Sequence, residues 1–313
     1  MGEERGGVSV VVAVALVALL GFAALVIDVG ALYAERAELQ SGTDAAALAV
    51  AQDCAGGNCG DATATAKSLA DQNAKDGAAS VDAPVFPTSN SVRVRATTLD
   101  GNTGAGSLAL SFAPVLGIDE ATVAAVSTAS WGSPAGGPAM LPLAFAPCVF
   151  DLNGGVQVIQ THGTSSTPSC TSTSPSGATL PGGFSWLDSS TGACESHMDI
   201  DDNAFSDPGN NIPSECTGVF EPSLVGQTLI LPLYDDTSGT GSGATYHVSG
   251  WVAFKIHGWR FPGNSLNNNS IEGAKCVGSC NGLIGEFIEF TDLSGDFTLG
   301  GPNLGVTVVA LTE

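Results

Sequence analysis

The residues best placed by type and spacing to do chemistry are eight cysteines: Cys54, Cys59, Cys148, Cys170, Cys194, Cys216, Cys276 and Cys280. All of them follow a long uncharged apolar run near the N-terminus, and none lies before or within it. An even number in that distribution is expected of a chain whose bulk folds in an oxidising space. Zinc is the competing chemistry. It fits less well, because Cys54-x4-Cys59 and Cys276-x3-Cys280 lack the tight C-x2-C knuckle and stand among Gly, Asn and Ser rather than His. The spacing predicts closure of the short loops 54–59 and 276–280, with Cys148–Cys170 and Cys194–Cys216 as nearest-neighbour pairings that sequence alone does not fix.

The four histidines are the next candidates. His247 and His257 fall on one face of a predicted strand, but ten residues at about 3.3 Å each separate them by roughly 33 Å, too far to share a metal. His162 stands in a Ser/Thr-rich tract and His197 near an acidic cluster, where each reads as a surface polar residue. No G-x-S-x-G elbow, H-E-x-x-H helix, Walker loop or dinucleotide fingerprint occurs, so hydrolase and nucleotide chemistry lose their usual support and the chain is not expected to be an enzyme. Asp199, Asp201 and Asn203, followed by Asp207, alternate as calcium loops begin, and give a weak calcium candidate. An EF-hand frame set at Asp199 fails, with Ala204 at the turn position and Asn210 at the bidentate one, and a solvated turn is the plainer reading. No cofactor is expected.

Nine Lys and Arg against 31 Asp and Glu leave a formal charge of −22, which repels a phosphate backbone and argues against a nucleic-acid partner. Val8 to Ile27 is twenty residues without charge or proline, the length that crosses a hydrocarbon layer as a helix. A cleaved signal peptide ending near Gly21-Phe22-Ala23 is the alternative, but the flank Met1–Arg5 holds a single base and apolarity continues to Asp28. The anchored reading therefore leads: a single pass with the C-terminal part extracytoplasmic. Arg5 and Arg36 balance each other, so the cysteines rather than the positive-inside rule set this sidedness. Asp28 is expected to sit at the lipid–water boundary and fix helix depth. Beyond it, 28–52 is rich in helix formers and free of proline, which extends the helix as a stalk. Leu25, Leu32, Leu39 and Ala46 recur every seven residues, a narrow stripe able to seat a second helix or the ectodomain.

Gly6-Gly7-Val8 ahead of the apolar run, then Asp28-Val-Gly30, Tyr33, Arg36, Leu39-Gln40 and Asp44-Ala-Ala-Ala-Leu48-Ala, resemble the N-terminal signature of TadE/TadG-like proteins of the Flp pilus, or tight-adherence, machinery. The resemblance covers about the first fifty residues. It implies a minor pilin-like or assembly component, with Leu32, Tyr33, Arg36 and Leu39 meeting other pilin-like or assembly proteins through the helix. There is no Glu at Val12, where type IV prepilins carry one, and Asp292-Leu-Ser294-Gly-Asp296 departs from the metal motif of the von Willebrand-type domain in longer TadG proteins.

The rest of the chain reads as a second helix over 61–75 and strands over 91–97, 107–112 and 122–128, then strands over 155–161, 228–234, 246–256, 286–291 and 305–311. Residues 161–183, rich in Ser, Thr and Gly, read as a long exposed loop pinned by Cys170. The expected fold is α+β: a transmembrane and stalk helix, a small pilin-like α+β roll, and a mostly antiparallel, disulfide-stapled β ectodomain. Its expected segments are a flank at 1–7, the helix at 8–53, the roll at 54–130, a Gly/Pro linker at 131–140 and the ectodomain at 141–313. Alternation in 246–257 puts His247, Ser249, Trp251, Lys255 and His257 on a partly wet face. A surface adhesin or ligand-binding module using Trp251 and Trp259 is thus the alternative function, followed by an anchored extracellular hydrolase.

Overall fold

The computed structural model describes residues 4–149, 155–161, 169–171, 179–181, 183–189, 192–209, 211–293 and 295–312. Two compact units emerge: Met1–Ser130 with Ala310–Glu313, and Trp131–Val309.

The first unit is organised by α1 (Glu4–Ala55), 52 residues without a proline. Its apolar part is long enough to cross a membrane, and none of that window is buried in the chain. The helix ends where Gly56 and Gly57 remove Cβ constraints; Gly57, at φ 87°, donates its N–H to the Cys54 carbonyl, and Cys54–Cys59 staples the turn. Asp61 then caps α2 (Ala62–Asn73) by accepting the Ala64 N–H at 3.0 Å. Small residues let the two helices approach: a Cβ on Gly42 would lie 3.1 Å from the Ala70 Cα. Four short or medium strands follow: β1 (Ala79–Val81), β2 (Val85–Thr88), β3 (Ser91–Thr98) and, after a small hairpin of β4 (Leu108–Ala109) and β5 (Glu120–Ala121), β6 (Ala124–Gly132). β3 pairs antiparallel with β1, β2 and β6. One face of β3, with Val92, Val94 and Ala96, is buried, while Arg93 and Arg95 face out, as period-two alternation requires.

The strand expected over 107–112 is only two residues long. After Leu108–Ala109 the chain turns into a 3-10 helix, Ala113–Leu116, because Pro114 supplies no N–H to a ladder.

The second unit is built on an eight-stranded sheet whose central member is Thr245–Phe261, flanked by Thr228–Ser238 and Gly282–Ile288. Phe145, Phe184, Trp186, Phe220, Phe254, Phe261 and Phe287 form a connected aromatic core with mostly edge-on contacts. Two expectations are corrected here. The Gly/Pro tract over 131–140 contains a paired strand, Pro134–Ala139, bonded to Ser196–Asp199 and Thr298–Leu299. Its glycines admit close neighbours instead of loosening the chain, since a Cβ on Gly137 would meet the Phe297 ring at 2.3 Å. Nor is there a wet aromatic face: Trp251 and Trp259 are 0% and 1% exposed. Trp251 donates to the Ala135 carbonyl and meets Phe297 edge to face, and Trp259 donates to Asn264 Oδ1 and meets Phe220 edge to face. Beyond Gly250 both faces of this strand are buried except at Lys255 and Arg260, which are half-buried.

Cys194–Cys216 and Cys276–Cys280 are closed in this unit, and Cys148 is also disulfide-bonded. The side chain of Cys170, and most of the tract over 161–183, lie outside the described residues. Cys194–Cys216 links residues 22 apart and its Cys216 end is fully buried. Replacing both by Ala is expected to lower stability by about 3 kcal/mol through the loop entropy regained by the unfolded chain. Urea unfolding followed by near-ultraviolet dichroism checks this; an unchanged midpoint refutes it.

Candidate functional site

The signature positions of α1 divide into covered and uncovered ones. Asp28, Leu32, Glu35, Leu39, Gly42, Thr43, Ala46 and Val50 recur at three- and four-residue steps, so they form one stripe. Along that stripe the first unit packs.

Asp28 is 6% exposed and accepts three backbone N–H groups, from Ser111 at 2.8 Å, Phe112 at 2.9 Å and Ala113 at 2.6 Å. The expectation that it marks only helix depth is therefore corrected. It cradles the N-terminal end of the 3-10 helix, whose first N–H groups have no partner of their own. Eleven residues on, Leu39 is 3% exposed among Ala70, Ala79, Ala96 and Ala125. Proposed from sequence as a contact for other proteins, it is instead core of its own unit, because the sheet lies against that side of the helix. Leu32 is half-buried beside the hairpin, lining an apolar groove with Leu110 and Phe112.

One turn further, Gln40 and Asp44 hold the sheet by polar contacts. Gln40 Nε2 donates to Ser127 Oγ at 2.9 Å and to Asp44 Oδ1 at 2.8 Å, and the Ser127 hydroxyl donates to Asp44. Thr43, fully buried, returns its hydroxyl to the Leu39 carbonyl at 3.0 Å and lies 3.0 Å from Ser127 Oγ. Ala46 and Ala47 are wholly buried. Burial raises the Glu35 carboxyl above its ordinary range against a hydrogen bond from Thr98, and the nearby Glu38 and Asp76 charges add to the rise.

Nearer the N-terminus, the side of α1 that carries Gln40 and Asp44 is uncovered. Phe22, Val26 and Tyr33 are exposed at 72%, 69% and 75%, and Arg36 is exposed with no ion pair among the described residues. Signature residues thus serve two ends: some tie the helix to its own unit, and Tyr33 with Arg36 point away from it.

Residues 6–53 match the family model described as "Putative Flp pilus-assembly TadE/G-like". No curated protein and no solved structure matches the chain. The TadE/G-like segment coincides with α1, and its apolar half fits a single-pass membrane anchor.

The other sequence candidates fall elsewhere. His247 Nδ1 is 2.7 Å from Asp235 Oδ1 and His257 Nε2 is 2.9 Å from Glu286 Oε1, and no described hydroxyl or thiol bonds to either ring. His197 lies in the strand Ser196–Asp199, and His162 is outside the described residues. The calcium candidate is a closed turn. Asp202 accepts the Asp199 N–H at 3.0 Å, its own N–H returns to the Asp199 carbonyl, and Asp201 adopts φ 70°. Among the described residues no three His, Cys, Asp or Glu side chains gather as metal ligands.

Sequence spacing missed Ser111, Phe112, Ala113 and Ser127, the partners of Asp28, Gln40 and Asp44. A hint existed in an uncharged SFAPVLGI run within an acidic chain.

Proposed function

We propose that this protein is a membrane-anchored, minor pilin-like or assembly component of the Flp pilus system, its disulfide-bearing units on the extracytoplasmic side. The observation that carries the reading is the uncovered stripe of the TadE/G-like helix, running from Phe22 through Val26 to Tyr33 and Arg36. It continues the apolar surface of the membrane segment into the stalk, and so offers other pilin-like helices one face across the boundary. Tyr33 contributes a large amphipathic ring and Arg36 an exposed fork of donors, residue types enriched where interfaces are strongest. The three described disulfides and bonded Cys148 support that sidedness, since such bonds persist in an oxidising compartment. The adhesin alternative loses its aromatic surface, as Trp251 and Trp259 are buried.

The test is the pair Tyr33→Ala and Arg36→Ala in cells that make the pilus. Surface filaments are expected to fall by about tenfold or more, the scale of losing one interface hot spot of over 1.4 kcal/mol. Protein level, protease resistance and non-reducing peptide map should stay unchanged. Normal filament numbers would reject this contact face, and recovery of the protein from cytosol with free thiols would reject the anchored reading altogether.

A further inference from the structure

The hairpin between β3 and β6 carries an apolar tip at the end of the membrane segment. Val115 and Leu116 are 89% and 75% exposed, Ile118 is 52% and Phe112 is 44%. From Ser107 to Ile118 there is no charged residue, whereas Asp119 and Glu120 stand at once behind the tip. Water-exposed loops do not ordinarily gather four large apolar side chains on so few residues.

Two further observations say what covers them. The tip reaches down α1 toward its N-terminus: Val115 and Leu116 share an apolar groove of about 540 Å³ with Leu25, Ala24 and Gly21. Gly21 precedes Asp28 by seven residues, so the groove extends roughly 10 Å along the helix into the apolar run. The tip therefore stands level with residues inside the segment that fits a membrane span, and its surface is continuous with that of Val8–Ile27.

The backbone of the tip is also self-sufficient. Asp28 takes the N–H groups of Ser111, Phe112 and Ala113, and Pro114 has none. Leu110 donates to Asp119, Val115 to Phe112, Gly117 to Pro114 and Ile118 to Ala113. Gly117, at φ 80°, makes the reversal that brings the last two of these about. Internal satisfaction of donors is what hydrocarbon demands of non-helical backbone and water does not.

We infer that the 110–118 hairpin tip is a second membrane contact, inserted beside α1 into the outer-leaflet hydrocarbon with Asp28 as its internal hydrogen-bond acceptor. The inference rests on the anchored reading of α1. With two points of contact, the first unit is held against the bilayer surface, and α1 loses freedom to rotate about its axis. The Tyr33–Arg36 face then keeps a fixed heading within the membrane plane.

The test uses the full-length chain with its disulfides intact, reconstituted in phosphatidylcholine/phosphatidylglycerol vesicles. A polarity-sensitive fluorophore is attached to Leu116→Cys, to Leu19→Cys in the membrane run, or to Ala105→Cys at the exposed base of the hairpin. Nitroxide-bearing acyl chains act as quencher. The inference expects Leu19 and Leu116 probes to be quenched several-fold more strongly than the Ala105 probe. Quenching at Leu19 with none above the Ala105 level at Leu116 would overturn the lipid contact while leaving the anchor standing. A blue-shifted but unquenched Leu116 probe would also overturn it, by showing a protein surface, such as a second copy, over the tip. An unquenched Leu19 probe would remove the anchored reading and this inference together. Leu116 is largely exposed, so the labelled variant keeps its packing.

Discussion

Leu39→Asp is expected to unfold the first unit rather than merely to weaken assembly. The side chain is 3% exposed and packs on Ala70, Ala79, Ala96 and Ala125, joining α1 to α2 and to the sheet at one point. Loss of a buried leucine costs about 2–5 kcal/mol on its own. An unpaired carboxylate in the same place adds a desolvation penalty of similar or larger size. Against a domain stability of about 5–15 kcal/mol, the sum removes most or all of it. Limited proteolysis of membranes carrying the variant should cut within 60–130, where the parent resists, and surface filaments should disappear with the folded protein. A protease-resistant Leu39→Asp chain that fails only in assembly would mean that Leu39 faces a partner after all. The contrast with Tyr33 and Arg36 is the useful part: two positions six residues or fewer away on the same helix should impair assembly with the fold intact.

Asp28→Ala is the second large effect. Three N–H groups, on Ser111, Phe112 and Ala113, lose their common acceptor at once. Ser111 and Phe112 are exposed and Ala113 half-buried, so what is lost is three charge-assisted bonds to one carboxylate, and the docked hairpin becomes markedly less stable relative to an undocked one. Hydrogen exchange at these amides is expected to accelerate by roughly a hundredfold or more, as local opening replaces a closed state, while β3 and β6 keep their protection. Asp28→Asn should fall between the two, because one side-chain oxygen still accepts while the amide NH2 faces the remaining donors. Unchanged exchange at Phe112 in Asp28→Ala would show that the carboxylate does not hold the hairpin. The same variant should reduce lipid quenching at position 116, which ties the cradle to the membrane contact.

Much of this architecture was legible in the sequence because it depends on near neighbours. Twenty uncharged residues followed by a proline-free run of helix formers specify a long helix whatever packs on it. Gly56, Gly57 and Gly60 end it. Alternation of Val92, Val94 and Ala96 with Arg93 and Arg95 specifies a half-buried strand, and Cys54–Cys59 and Cys276–Cys280 are short enough for spacing to pair them. Tertiary structure alone decided the rest. A period of two says that side chains alternate, and does not say whether a second layer covers the outer face, so Trp251 and Trp259 read as wet until Phe297 and Phe220 were found against them. A seven-residue stripe on α1 says that something packs there, and does not say whether it is a partner or the chain's own sheet, which is why Leu39 changed sides. Asp28 and its hairpin are 83 to 85 residues apart along the chain. Propensity and periodicity act over a few residues, whereas the choice of contact across that distance is made by the summed packing of the whole unit, and no local pattern carries it.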